Sequence, residues 1–374
     1  MNGDETRFTR KDLLRGGAVG AAGLYLGGVG SALAARRPAG ALGAEGVTIA
    51  WLTWFDHFFP QQLQVTKAKT GVACRPKLAP ADSEIYTTIR QTGSQFDIAA
   101  ADALWVPKMH KDGLTKSFDL SAIPAATQLY SDARNIKVWT DGSNYMAFPN
   151  GWSTIQTYYN PKYVKTKPDS YDALLDPKYK KKIVYENSPE TMVAFAGMAT
   201  GAKVPYDQTL AELPRSKAWL EKLKPNILKL VDQNFETVNA LKDESAWIGL
   251  GNLGVELRVK DAGGPPIKVA FPKEGLAGWF DGEQMVTRSK HKDVFAKFIN
   301  ATYEQTPWIA KNFIKNGRPM FNEKAYKLLI NQGYKARADL FQYNNPELIF
   351  KANLQGPAKN IQAITDAFNE VFGG

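Results

Sequence analysis

Two copies of the tripeptide Trp-Phe-Asp carry side chains that could bind a small organic cation. They are Trp54-Phe55-Asp56 and Trp279-Phe280-Asp281, and each follows an apolar run, 47–51 or 267–271, with the composition of a β-strand. An indole ring attracts a cation through its quadrupole, and a neighbouring carboxylate neutralises the charge. Both residue types also have common structural roles, since tryptophan fills cores and an aspartate after a strand often caps a helix. If the fold brings the two copies together, they predict one cation-binding site.

A glycine motif in the middle of the chain indicates a different chemistry. The residues Gly249-Leu250-Gly251-Asn252-Leu253-Gly254 fit the pattern GxGxxG, and they lie between a strand-like run and a helix-like run, as in a dinucleotide site. The acid that such a site needs about twenty residues later falls near Glu274, in a turn. We therefore interpret the glycines as a closely packed strand-to-helix turn. Two alternatives remain: the backbone of Gly251 lies near a ligand at a helix N-terminus, or the chain is an exported NAD(P)-dependent oxidoreductase that uses Gly249, Gly251 and Gly254.

The sequence lacks the residues that several other classes of function require. The single cysteine, Cys74, excludes an internal disulfide and a multi-cysteine metal site, and the three histidines show no metal-binding spacing. The sequence contains no P-loop and no Gly-x-Ser-x-Gly elbow. Its net charge of +10 comes from dispersed basic residues, without a nucleic-acid-binding motif. We therefore expect a binding protein rather than an enzyme, with no cofactor, no metal and no nucleic-acid partner.

Residues 1–34 have the pattern of an export signal. Basic residues are followed by the apolar, glycine-rich stretch 16–30 and by Ala32-Leu33-Ala34, a small-x-small cleavage site. The segment Thr9-Arg10-Lys11-Asp12-Leu13-Leu14-Arg15 resembles the twin-arginine motif, with lysine as the second basic residue, so a general secretory signal remains an alternative. No cysteine lies near the cleavage site, and we expect a periplasmic protein without a lipid anchor at its N-terminus.

From residue 47 onward, strand-like and helix-like segments alternate, which predicts an α/β fold. A chain of 374 residues that is 44% hydrophobic is long enough for two domains. No flexible linker separates them, so we expect short extended crossings at 152–159 and 275–282. The predicted strands are 47–51, 96–101, 145–149, 154–160, 183–185, 227–231, 246–250 and 267–271. The predicted helices are 83–92, 104–111, 189–199, 214–223, 293–303, 307–315, 323–330 and 357–372.

From about residue 47 to its end, the chain resembles the periplasmic solute-binding proteins of polyamine ABC transporters, of the spermidine/putrescine type. Four stretches carry this resemblance, and the last of them is the most specific. They are Thr53-Trp54-Phe55-Asp56-His57, Phe96-Asp97-Ile98 with Val106-Pro107-Lys108-Met109 and Gly113-Leu114, Phe148-Pro149-Asn150-Gly151-Trp152-Ser153-Thr154 with Tyr159-Asn160, and Phe271-Pro272-Lys273-Glu274-Gly275 with Trp279-Phe280-Asp281.

The resemblance implies a two-lobed periplasmic-binding-protein fold of type II, with a ligand cleft between lobes that close about a hinge. The N-terminal lobe would comprise 46–154 plus 280–325, and the C-terminal lobe 155–279 plus 326–374. The protein would be a monomer that binds a polyamine such as putrescine or spermidine, or a related small organic cation. Its partner would be an ABC permease in the inner membrane.

The same resemblance assigns roles to individual residues. Trp54 and Trp279 would form the aromatic walls of the site, Asp56 would be an amine-binding carboxylate, and Asp281 would be the principal ammonium partner. Asp102 lies where the family often has a hydroxyl contact.

Three features of the sequence depart from the family pattern. Gly251 replaces an aromatic residue, Arg318 replaces a late tyrosine, and the paired acids of the second lobe fall near Ser188 and Thr191, where only Glu190 is acidic. Because a guanidinium binds a carboxylate through a bidentate fork, Arg318 together with Asp281 suggests an alternative ligand, a zwitterion such as 4-aminobutyrate.

Overall fold

The computed structural model describes residues 46–79, 81–232 and 234–373, so the predicted export signal lies outside the described residues. The strands are β1 (Thr48–Thr53), β2 (Ala73–Leu78), β3 (Ile98–Asp102), β4 (Thr115–Lys116), β5 (Thr140–Asp141), β6 (Asn144–Tyr145), β7 (Phe148–Tyr159), β8 (Ile183–Glu186), β9 (Ile227–Val231), β10 (Ile248–Asn252), β11 (Lys268–Ala270), β12 (Ala277–Val286) and β13 (Asn353–Leu354). The α-helices are α1 (Pro60–Thr70), α2 (Asp82–Thr92), α3 (Trp105–Lys111), α4 (Pro189–Ala199), α5 (Leu213–Leu223), α6 (Asn234–Lys242), α7 (Val255–Asp261), α8 (Phe295–Tyr303), α9 (Thr306–Asn316), α10 (Glu323–Asn331), α11 (Lys335–Leu340), α12 (Glu347–Phe350) and α13 (Ile361–Phe372). The α/β alternation predicted from the sequence is confirmed.

One mixed sheet connects most of the strands, in the order β2-β1-β3-β12-β7-β10-β8-β9. Strand β1 runs parallel to β2 and β3, whereas β12 runs antiparallel to both β3 and β7. On the far side, β10 is antiparallel to β7 and parallel to β8. The long strands β7 and β12 therefore occupy the centre of the sheet, with parallel strands on either side.

The buried apolar side chains form two large clusters, which are discontinuous in sequence. The first cluster takes residues from 49–152 and 280–349 together with Leu253, and the second cluster takes residues from 155–277 and 364–371. Phe341, which follows α11, packs edge-on against Phe313 of α9 with ring centroids 5.1 Å apart. The segment 326–350 therefore packs with the first cluster, whereas the resemblance grouped it with the C-terminal lobe. The division into lobes itself stays a prediction.

Strands β7 and β12 run from one cluster to the other. On β7, Trp152 belongs to the first cluster and Ile155 to the second. On β12, Phe280 belongs to the first cluster and Ala277 to the second. The two strands pair with Phe280 opposite Trp152 and Ala277 opposite Ile155. The extended segments predicted at 152–159 and 275–282 thus become paired strands.

The pairing of β12 with β7 shifts register between Phe280 and Gly282, at Asp281. Such an irregularity re-aims the side chain that it contains. On its other edge β12 places Asp281 directly opposite Asp102 of β3. The fold therefore brings two carboxyl groups together at the point where the chain passes between the clusters.

Candidate functional site

A cleft of two adjoining cavities lies between side chains of the two clusters. One cavity has a volume of about 550 Å³ and the other about 660 Å³, and both are lined by Phe55, Asp56, Glu186, Asn252, Trp279 and Gln355. A cavity of this size is typical of small-molecule sites. We call the smaller one the first cavity and the larger one the second cavity.

The cleft contains every residue that the sequence analysis singled out for binding. The first cavity is lined by Trp54, Asp56, Asp102, Trp279 and Asp281. The second cavity shares Asp56 and Trp279 and adds two more, Gly251 and Arg318. The two Trp-Phe-Asp copies, more than 200 residues apart in sequence, therefore meet at one site. Their roles in ligand binding remain predictions.

Asp281 already has a cationic partner in the protein. Its Oδ2 accepts a hydrogen bond from Nη2 of Arg318, and its Oδ1 accepts one from the backbone N–H of Gly151 at 3.1 Å. Only 2% of Asp281 and 4% of Arg318 are exposed. Burial opposes ionisation of Asp281, but Arg318 and His57 outweigh it and lower the pKa of this carboxyl. The pair is therefore a buried, ionised salt bridge.

A second buried acid, Glu283, is connected to the Asp281–Arg318 pair through His57. Its Oε1 accepts hydrogen bonds from Nδ1 of His57 at 2.6 Å, from Nδ2 of Asn150 at 2.8 Å and from the hydroxyl of Tyr303 at 2.8 Å. Its Oε2 accepts one from Nε1 of Trp51 at 2.8 Å. A buried acid with this many donors is well compensated for its loss of water.

His57 links the two acids. Burial and the nearby Arg318 lower its pKa, but Asp281 and Glu283 raise it more, and the pKa of His57 reaches about 9. Its Nε2 lies 3.4 Å from Oδ2 of Asp281. The sequence analysis did not find this cluster of His57, Asp281, Glu283 and Arg318. One signal was available: Asp281 and Glu283 are two residues apart on a strand, so their side chains share a face.

A second acidic pair, Asp82 and Asp102, lines the first cavity. Oδ1 of Asp82 accepts a hydrogen bond from the backbone N–H of Asp102 at 2.9 Å. Burial raises the pKa of Asp82 to about 7, and burial followed by the charges of Asp82 and Asp281 raises the pKa of Asp102 well above its usual value. Two carboxyl groups in contact cannot both ionise cheaply. The pair therefore retains a proton near neutral pH.

Two further acids, Glu186 and Glu190, face the first cavity from β8 and α4. Burial and the nearby charge of Glu190 raise the pKa of Glu186 to about 7. Ser188 begins α4, where its hydroxyl accepts a hydrogen bond from the backbone N–H of Thr191. Glu186 was not predicted, because the resemblance places the acids of the second lobe near residues 188 and 191. Its position at the end of a predicted strand, at the edge where ligands bind in α/β sheets, was the available signal.

The first cavity is strongly acidic. Six carboxyl groups line it, and the basic side chain among its lining residues is His57, which pairs with acids. The six are Asp56, Asp82, Asp102, Glu186, Glu190 and Asp281. A concave surface lined by one sign of charge concentrates ligands of the opposite sign. The cavity is therefore suited to a cation.

The glycine motif is a packing device. A Cβ at Gly249 would lie 2.7 Å from Cγ2 of Thr237, and one at Gly254 would lie 2.0 Å from Cζ of Phe341. The helix that follows, α7, has only seven residues. Protein side chains thus occupy the space that a pyrophosphate would need beside these glycines. This geometry contradicts the dinucleotide interpretation, although Gly251 itself lines the second cavity.

The described part of the chain offers neither a metal site nor a membrane-spanning helix. Within residues 46–79, 81–232 and 234–373, no group of histidine, cysteine and acidic side chains could hold a metal ion. None of the helices in these ranges combines the length and the apolar character needed to cross a membrane.

Comparison with known proteins gives consistent results. A family model described as bacterial extracellular solute-binding protein matches residues 77–342. The spermidine/putrescine-binding periplasmic protein of Salmonella typhimurium is 22% identical over 331 residues, which are 86% of this chain and 90% of that one. The putrescine-binding periplasmic protein PotF of Escherichia coli is 24% identical over 281 residues, which are 70% of this chain and 74% of that one.

A solved structure shows the fold. The substrate-binding protein PotD of a spermidine/putrescine ABC transporter from Streptococcus pneumoniae superimposes with a TM-score of 0.69 and 20% identity, over 87% of this chain and 98% of that one. Identity this low establishes the fold alone. The prediction of a two-lobed periplasmic-binding-protein fold is thereby confirmed.

Proposed function

This chain belongs to the bacterial extracellular solute-binding protein family, and we propose that it is the periplasmic component of an ABC importer that binds a polyamine or a related small organic cation. The observation that carries the proposal is the first cavity, where six carboxyl groups face one volume beside Trp54 and Trp279. The relatives that bind putrescine or spermidine support this ligand class. The protein would deliver its ligand to a permease in the inner membrane.

The site is proposed to bind by charge pairing followed by closure. A ligand ammonium would enter beside the indole rings of Trp54 and Trp279 and pair with acids of the first cavity. Closure of the two lobes would exclude water, and a lower local dielectric strengthens each ion pair. Recognition needs no chemical step, in keeping with relatives that are transport proteins.

The zwitterion alternative has less support. It requires Arg318 to hold a carboxylate, but the guanidinium is buried and already donates to Asp281 and to the backbone carbonyl of Asp56. An oxidoreductase has no support in the geometry of the glycine motif. We therefore place polyamines and simple amines first.

Titration calorimetry on the purified protein, stripped of carried-over ligand by unfolding and refolding, tests the proposal. Putrescine, cadaverine and spermidine should bind, and 4-aminobutyrate should bind at least tenfold more weakly than the best amine. Glu186→Gln should weaken binding of that amine by roughly 10- to 100-fold, because a charge-assisted hydrogen bond contributes about 1.5–3 kcal/mol. Asp366→Asn, on the outer side of α13, is the matched control and should leave affinity unchanged. Absence of binding by all three amines would overturn the proposal.

Amine binding should also strengthen with pH. The Asp82–Asp102 pair and Glu186 hold protons near pH 7, and a ligand cation favours their ionised forms, so binding must release protons. For each proton that ligand binding displaces, we expect the affinity to rise about tenfold per pH unit between pH 6 and pH 8. Calorimetry at pH 7 in phosphate and in MOPS, buffers that carry no primary amine and have different ionisation heats, counts the protons. Asp102→Asn should lower that count, and an unchanged count would contradict the shared proton.

A further inference from the structure

We propose that Arg318 is a specificity-determining residue whose guanidinium occupies a cation position of the binding cleft and so limits how many ammonium groups a ligand can place there. The inference rests on the proposed function, since it concerns which amines the same cleft selects.

The guanidinium lies among the groups that would otherwise receive a ligand ammonium. Its Cζ is 5.7 Å from the ring centroid of Trp279, within cation–π range. Its Nη2 donates to Asp281, and its Nε lies 3.7 Å from Oδ2 of Asp56. An aromatic face and two carboxylates therefore already lie near a cation that belongs to the protein.

The protein is built to hold this arginine in place. Gly317, just before it, ends α9 with φ +65, and its backbone N–H donates to the carbonyl of Phe313. On β7, a Cβ at Gly151 would lie 2.7 Å from Nε of Arg318, so glycine leaves the space that the guanidinium fills. Nη1 of Arg318 also donates to the carbonyl of Asp56 at 3.3 Å. Fixed at both ends, the side chain cannot swing aside for a ligand at little cost.

Four acids of the first cavity have no hydrogen bond to Arg318: Asp82, Asp102, Glu186 and Glu190. Asp102 lies opposite Asp281 on the neighbouring strand β3 and is hydrogen-bonded to Asp82, whereas Glu186 and Glu190 come from β8 and α4. A ligand amine is therefore directed toward these four, while an additional ammonium that approaches Asp281 meets a fixed positive charge. Like charges at short range in a closed cleft repel strongly. The wild-type protein should therefore prefer a diamine such as putrescine to the triamine spermidine.

Substitution of Arg318 tests this directly. In Arg318→Gln, Asp281 keeps His57 as a positive partner and gains room for a ligand ammonium. We expect the ratio of spermidine to putrescine affinity, measured by calorimetry, to rise at least tenfold over wild type. The gain should vanish in Arg318→Gln/Asp281→Asn, which removes the carboxylate as well. Arg318→Tyr fills a similar volume without charge, and should shift the ratio in the same direction if Arg318→Gln does not fold.

Arg215 supplies the matched control, because it is an exposed arginine on α5 that does not line either cavity. Arg215→Gln should leave the ratio unchanged. If Arg318 served stability alone, its substitution would weaken the binding of both amines equally. An unchanged affinity ratio in the folded variants would therefore overturn this inference, whereas continued binding of amines would leave the proposed function intact. If neither wild type nor variants bind any amine, both proposals fall. A shift of similar size in Arg215→Gln would also overturn this inference, by showing that the net charge of the protein sets the preference.

Discussion

Replacing Asp281 with asparagine should destabilise the protein by about 3–5 kcal/mol at pH 7, because it leaves the buried guanidinium of Arg318 without its closest anion. His57 loses one of the two acids that raise its pKa. The pKa of His57 should therefore fall, and a fraction of the His57 side chains should lose their proton. Urea unfolding monitored by tryptophan fluorescence gives the free energy of unfolding. Titration with amines then shows whether the folded variant still binds.

An exposed ion pair provides the control for this substitution. Glu347 and Lys351 are paired at 2.9 Å on the surface, with side chains that are more than half exposed. Glu347→Gln should cost about 0.5 kcal/mol or less. Arg318→Gln/Asp281→Asn should be more stable than Asp281→Asn, since it removes both charges of the buried pair. A cost below about 1 kcal/mol for Asp281→Asn would show that the pair is not a dominant part of this network.

Replacing Gly254 with alanine should destabilise the protein by about 2–5 kcal/mol, the second large effect that we expect. The residue has φ +83, where a side chain costs about 1–2 kcal/mol. The new Cβ would also lie 2.0 Å from the ring of Phe341, and overpacking of a core costs about 1–3 kcal/mol more. Thermal unfolding of the variant beside wild type measures the sum.

Gly263→Ala separates these two contributions. Gly263 has φ +77, and nothing lies within 4 Å of the position where its Cβ would be. It should therefore show only the backbone cost, and the difference between the two variants isolates the contact with Phe341. Equal losses would mean that Phe341 moves aside freely. Binding of NAD to the wild-type protein would revive the dinucleotide interpretation, in which these glycines face a ligand.

The parts of the fold that depend on local patterns could be predicted from the sequence. Helix α4 begins and ends at the predicted residues, 189 and 199, because a capping serine and a proline in the first turn define its start. Extended segments at 152–159 and 275–282 were also predicted, because no flexible linker separates the domains, and most of their residues lie in β7 and β12. Helix α1 was not predicted, and the segment 326–350 packs with the first cluster although the resemblance grouped it with the C-terminal lobe. Their packing partners are distant in sequence, and a local pattern carries no information about them.

The candidate site divides in the same way. Sequence could identify the two Trp-Phe-Asp copies, yet it could not distinguish them: Phe55 is 70% exposed at the cleft, whereas Phe280 is 1% exposed in the first cluster. The pairing of Arg318 with Asp281 depends on two segments, the residues just after α9 and strand β12, that meet only after folding. A guanidinium could be predicted there, but whether it faces a ligand or a protein carboxylate is decided by tertiary geometry.

The discontinuous composition of the two clusters has a consequence for how the protein is made. The first cluster needs side chains from Ile49 to Ile349, and the second needs side chains from Ile155 to Val371. During synthesis from the N-terminus, neither can be completed until nearly the whole chain has left the ribosome. Long-range contacts of this kind slow folding. The nascent protein should therefore lack both complete cores for most of its synthesis.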